Sequence, residues 1–144
     1  MVLQLTKPNL DNLVKTGHLK QEPCDQEDLG RMLEIAHRRL LDSQIQEMSI
    51  EGRFTSAYNA AHGAALAALR SHGYRSENRF MVFQCLSDTL GWPASKWRVF
   101  DSAHQKRNLA EYEGYLEIEE STIQELRDLT SSLIKDVEKL AKMK

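Results

Sequence analysis

The chain has 144 residues, 41% of them hydrophobic, with 19 Lys and Arg against 21 Asp and Glu, a formal net charge of −2, and only two cysteines. That length fits one domain with a sizeable core. The near-neutral charge excludes a uniformly basic nucleic-acid-binding surface but leaves room for a local basic cleft. Cys24 and Cys85 are too few for a disulfide framework or a four-cysteine zinc site, and they read as reduced thiols.

In chain order, the first predicted element is a short helix from Asn9 to Thr16, with Pro8 before it and Gly17 after it. Residues 18–24 read as a loop because Pro23 blocks helix continuation. Asp25 and Asp28 mark an acidic helix start, and Leu29, Met32, Leu33, Ala36, Leu40 and Leu41 carry helical spacing to about Gln44. Ser49 is the N-cap expected for a third helix, Ile50 to Ser71, crowded with alanines from Ala57 to Ala68. Side chains that small let neighbours approach closely, so this helix is expected at the centre. A fourth helix is predicted to open at Ser76 and to place Phe80, Phe83, Leu86 and Leu90 on one face, ending at Gly91. Pro93 suits the first turn of a fifth helix, which carries Trp97, Phe100, Ala103, Leu109 and Ala110 and ends before Gly114. The last helix, about Glu119 to Lys142, repeats Ile123, Leu126, Thr130, Leu133, Val137 and Leu140 at alternating three- and four-residue spacing, an amphipathic seam with one polar position.

Sparse glycine and proline and long amphipathic helices with short connections predict an all-α chain, an antiparallel up-and-down bundle of four to five main helices in a single domain over residues 1–144. No apolar run approaches the roughly 20 residues of a bilayer span. The start, Met1 to Lys7, lacks a cationic, apolar and small-residue leader pattern, so a cytoplasmic protein with no membrane partner is expected.

Two polar rows interrupt the apolar pattern. On the third helix, Arg53, Tyr58, Asn59 and His62 stand among alanines. The plain alternative to a ligand site there is a set of hydrogen-bonded core groups. On the fifth helix, His104, Arg107, Asn108 and Glu111 share one face, with Tyr112 following. That face combines a proton-transfer group, a fixed cation, an amide and a carboxylate, and the sequence leaves open whether it or the opposite edge is buried. Arg70, Arg75, Arg79 and Lys106 could line a phosphate groove, or simply form a solvated rim. The spacings Glu34 to His37 and Asp101 to His104 match the carboxylate–His pairs of di-iron bundles. The third and fourth helices lack the further central carboxylates that such a site needs, so no metal and no cofactor are expected.

Taken together, Arg53 to Tyr58 and Asn59, Leu69-Arg70 followed by Gly73, Tyr74 and Arg75, and Arg107-Asn108 followed by Glu111-Tyr112 resemble the HEPN superfamily of small helical domains. The likeness is to uncharacterised bacterial branches with an Arg-Asn-x-x-Glu-Tyr ending, over about Leu10 to Gly114. The resemblance implies a homodimer with Arg107 and Asn108 of each subunit in the cleft, supported by His104, Glu111 and Tyr112, and with Arg53, Tyr58, Asn59 and His62 as a second wall. It implies RNA or a nucleotide as ligand and a bacterial toxin–antitoxin, defence or stress setting, with a cognate nucleotidyltransferase or antitoxin as possible partner. Many such domains cleave RNA without metal through an arginine and a histidine with four to six residues between them; here Tyr112 stands where the histidine of the shortest spacing would. A ribonuclease using Arg107, His104 and Tyr112 is therefore the second expectation. A tyrosine receiving a nucleotide, Tyr112 or Tyr115, is a third.

Overall fold

The computed structural model describes residues 8–114 and 117–143. The helices are α1 (Pro8–Lys15), α2 (Gln26–Asp42), α3 (Ile50–Ser71), α4 (Arg79–Gln84), α5 (Leu86–Thr89), α6 (Ala94–Glu113) and α7 (Glu120–Lys142). The all-α expectation is met. The one addition is a two-residue antiparallel pair, β1 (Lys20–Gln21) with β2 (Tyr74–Arg75), which registers Lys20 against Arg75. It lies partly in the segment read as loop.

Local chemistry sets the helix starts. Asp25 accepts a hydrogen bond from the Asp28 amide at 2.8 Å, and Ser49 accepts one from the Gly52 amide at 3.0 Å, so each cap satisfies an amide that the first turn leaves unpaired. At the other end of α6, Gly114 takes the left-handed conformation (φ 78°) that a side chain would resist.

α3 is the central helix. Ala57, Ala60, Ala61, Ala64, Ala65, Ala67 and Ala68 are all buried, and α2 and α7 pack most extensively against it. A Cβ placed on Gly63 would lie 3.8 Å from the Ala36 side chain, so α2 and α3 meet there at van der Waals distance. The α7 seam faces inward as its spacing predicts: Ile123, Leu126, Thr130, Leu133 and Val137 are buried and Leu140 is half-buried. Thr130 meets its own need for a partner by donating from Oγ1 to the Leu126 carbonyl at 2.7 Å. Trp92 ties the start of α6 to α7, its Nε1 donating to Asp136 at 2.8 Å.

Several boundaries differ from expectation, beginning with the first helix, which takes in Pro8 and ends at Lys15. α2 stops at Asp42, where Ser43 caps it. The predicted fourth helix opens at Arg79 under an Asn78 cap, because Asn78 Oδ1 accepts from the Met81 amide at 3.0 Å while Ser76 Oγ is taken by the Asn78 amide. It then divides at Cys85 into α4 and α5, which leaves Phe80 exposed and only Phe83 and Leu86 of the expected face fully buried. Pro93 precedes α6 in extended conformation (ψ 156°) as its N-cap and does not enter its first turn.

Candidate functional site

The polar row of α6 and the apolar row of the same helix share one face. Trp97, Phe100 and Ala103 are buried, and the inward stripe continues through His104, Arg107 and Asn108, all half-buried, while Leu109 is exposed. Polar side chains therefore replace hydrocarbon where α6 passes α3 and α4, and each needs a partner.

Tyr58 of α3 is the hub. It is fully buried, and its ring meets Phe83 edge-on at 6.1 Å and lies nearly parallel to His104 at 5.9 Å. Its hydroxyl oxygen is 2.9 Å from His104 Nδ1 and accepts from Arg79 Nη1 at 3.3 Å. Asn108 Nδ2 lies 3.2 Å from His104 Nε2. With that amide nitrogen donating, the ring proton sits on Nδ1 and donates to the Tyr58 oxygen. Both nitrogens of His104 are then engaged. The guanidinium carbons of Arg79 and Arg107 stand 5.5 and 5.7 Å from the Tyr58 ring centroid, within cation–π reach.

The surroundings hold these groups neutral apart from the arginines. Burial, opposed by the nearby Arg79, pushes the Tyr58 phenol above its ordinary value. Burial, with Arg79 and Arg107 adding to it, pushes the His104 imidazole below its ordinary value. His62, one turn along α3, meets Phe83 edge-on at 6.0 Å and is pushed down to about 4 by burial and then by Arg79, His104, Arg107 and Arg39. After burial, the charged groups acting on His62 are all cations, in a chain whose total charge is slightly negative.

The expected site residues separate. Tyr58, His104, Arg107 and Asn108 come together. Glu111 joins them through Arg107, 3.4 Å away, as an exposed pair of about 0.5 kcal/mol at most, so Arg107 is easily released to an anion. Asn59 and His62 lie half-buried beside the cluster. Arg53 does not form its second wall: the buried guanidinium forks onto Glu120 of α7, donating from Nη1 at 3.0 Å and also from Nη2. That fork raises the Arg53 pKa and lowers that of Glu120. Tyr112 is 91% exposed, too far into solvent to serve as a buried proton shuttle. Tyr115 falls outside the described residues.

Arg79, which the sequence grouped with Arg70, Arg75 and Lys106 as a phosphate groove or a solvated rim, is the one of them that joins the cluster. Its neighbours Arg70 and Arg75 converge instead on the Glu22 carboxylate, at 2.5 and 3.1 Å, and clamp the β1 strand to α3 and β2. Arg79 has no carboxylate at helical spacing and turns inward to Tyr58.

Among the described residues no group of three or more His, Cys, Asp or Glu is placed to hold a metal ion. Glu34 pairs with Arg38, and His104 is turned to Tyr58 and Asn108, so the two carboxylate–His spacings do not converge. A cleft of about 460 Å³ opens beside the cluster between Asn108, Glu111 and Tyr112. A larger cleft of about 680 Å³ runs between α6 and α7, but Glu125 and Asp128 face Lys96 across it, a poor match for a polyanion. No described helix is long and apolar enough to cross a membrane. No family model, curated protein or solved structure matches the chain.

Proposed function

We propose that this is a HEPN-like helical domain that binds the phosphates of RNA or of a nucleotide at the Arg79–Arg107 face, as a binding module. One observation carries the reading. Two guanidiniums from different helices are held against one buried tyrosine ring, and among the described residues the only carboxylate paired with either is the exposed Glu111. Arginine's planar fork suits phosphate oxygens, and a pre-ordered pair loses little freedom on binding. The engagement of both His104 nitrogens favours binding over catalysis, because a general base needs a free nitrogen. The homodimer, the bacterial toxin–antitoxin, defence or stress setting, and a nucleotidyltransferase or antitoxin partner belong to the same proposal and rest on the sequence resemblance alone.

The ribonuclease reading has one observation in its favour. A histidine held largely neutral at pH 7 stands one turn from Arg107. It requires Asn108 to release Nε2 when RNA arrives.

Titrating the purified chain into labelled single-stranded RNA, and separately into ATP, tests the proposal; binding of neither would remove it. Within that assay Tyr112 is expected to act as an exposed stacking surface for a base. Tyr112→Ala should weaken RNA binding roughly fivefold to tenfold, and Tyr112→Phe should leave it unchanged. Equal losses in both variants would point to the hydroxyl, and so to proton transfer or modification.

A further inference from the structure

The first two residues of α4 turn to different helices. Arg79 reaches Tyr58 of α3, whereas Phe80 meets Trp97 of α6 edge-on, with ring centroids 6.0 Å apart. Trp97 is a fixed support. It is buried, its Nε1 donates to Ser87 Oγ at 2.9 Å, and the Arg98 guanidinium carbon stands 5.6 Å from its ring centroid. Phe80 itself is 41% exposed. An aromatic ring braced by a buried neighbour and open to solvent is a ready platform for a nucleobase, because it offers a stacking face without first having to be ordered.

On α6, Asp101 stands one turn from Trp97 and one turn from His104, along the same edge of the helix. It therefore lies between the support of Phe80 and the Tyr58–His104 pair. Its carboxylate acts electrostatically on both Tyr58 and His104. It is half-buried, accepts from Gln105 Nε2 at 3.0 Å and, among the described residues, pairs with no cation. A carboxylate has acceptor sites for several donors, so one bond to Gln105 leaves room for more. Asp101 repels a phosphate, so the part of a nucleotide that suits this edge is the uncharged base. Cytosine carries an amino group that a carboxylate accepts, and uracil presents a carbonyl in the same place.

We propose that Phe80 and Asp101 form a base subsite beside the Arg79–Arg107 phosphate site, in which a base stacks on the Phe80 ring and its exocyclic amino group donates to Asp101, so that the chain prefers cytosine-bearing RNA to uracil-bearing RNA. The inference rests on the reading that the Arg79–Arg107 face binds phosphate. The arginines hold the backbone and carry no sequence information, and Asp101 supplies the discrimination.

Phe80 is exposed and Asp101→Asn keeps the shape of the side chain, so the fold should survive both changes, which thermal melts check. The test is fluorescence anisotropy with 5′-labelled 12-nucleotide oligocytidylate and oligouridylate on the unaltered chain, Asp101→Asn, Phe80→Leu and Arg107→Ala. The two strands carry the same phosphates and rings of one size. The unaltered chain is expected to bind the cytidine strand roughly threefold to tenfold more tightly. Asp101→Asn offers uracil a donor as well as cytosine an acceptor, and should bring that ratio to about one. Phe80→Leu keeps an apolar contact for Trp97 without an aromatic face, and should weaken both strands roughly threefold to tenfold. Equal binding of the two strands by the unaltered chain, a ratio untouched in Asp101→Asn, or undiminished binding in Phe80→Leu would each overturn the base subsite. A loss of binding in Arg107→Ala alongside any of these would leave the phosphate site standing. Binding of neither strand by the unaltered chain would overturn both readings.

Discussion

Lowering the pH from 7 to 4 is expected to remove about 2–3 kcal/mol of folding stability through His62 alone. Its pKa is about 4 in the folded chain and 6.5 in the unfolded one. Between those values the unfolded chain takes up a proton that the folded chain refuses, so stability falls as the pH falls. The contribution is complete above pH 6.5 and levels off below about 4. The cause is positional. His62 sits against Phe83, and the charged groups acting on it from α2, α4 and α6, namely Arg39, Arg79, Arg107 and a protonated His104, are all cations. Carboxylates held down by arginine, Glu22 and Glu120, lose their own contributions lower on the pH scale. His62→Gln removes the titrating ring at nearly the same length. Urea unfolding at pH 7.0, 5.5 and 4.0 should show the unaltered chain losing about 2–3 kcal/mol more than this variant. Parallel losses would mean that His62 titrates freely and that the positive field around it is weak.

The second large effect concerns binding. Arg107→Ala is expected to reduce affinity for single-stranded RNA at least tenfold near 0.1 M salt, and Arg79→Ala to do the same. The two should differ in stability. Arg107 gives the fold a cation–π contact and an exposed ion pair, together about 1 kcal/mol or less. Arg79 also donates to the buried Tyr58 oxygen, so its loss should cost about 1 kcal/mol more. Thermal melts beside RNA titrations separate the two quantities. A folded Arg107→Ala chain with unchanged RNA affinity would take the arginine out of the site and make the polar row a packing device only.

Much of the frame is legible in the sequence, because its signals are local. The serine at 49 and the alanine run mark α3, and the three- and four-residue spacing of Ile123 to Val137 marks the buried face of α7. The polar row of α6 is equally visible, since His104, Arg107 and Asn108 share a face whatever packs on it. What the row does is not local. Tyr58 and His104 are 46 residues apart, and only the packing of α3 against α6 joins them. Arg79 resembles Arg70 and Arg75 in sequence, and the three divide only because Glu22 captures two of them. Arg53 stands five residues before Tyr58 and so reads as part of one polar wall, yet that spacing turns it about 140° around α3, where Glu120, 67 residues away, holds it to α7. The division of the fourth helix at Cys85 has no glycine or proline to announce it.

In the proposed complex an RNA or nucleotide phosphate lies on Arg79 and Arg107 over the Tyr58–His104 pair. The most direct test of that placement is an NMR titration of isotope-labelled protein with single-stranded RNA, following arginine Nε–H and histidine ring signals. Saturable shifts are expected at Arg79, Arg107 and His104, with Arg53 and Arg70 unmoved in their carboxylate pairs. Shifts confined to other residues, such as those of the α6–α7 cleft, or none at all at saturating RNA, would contradict it.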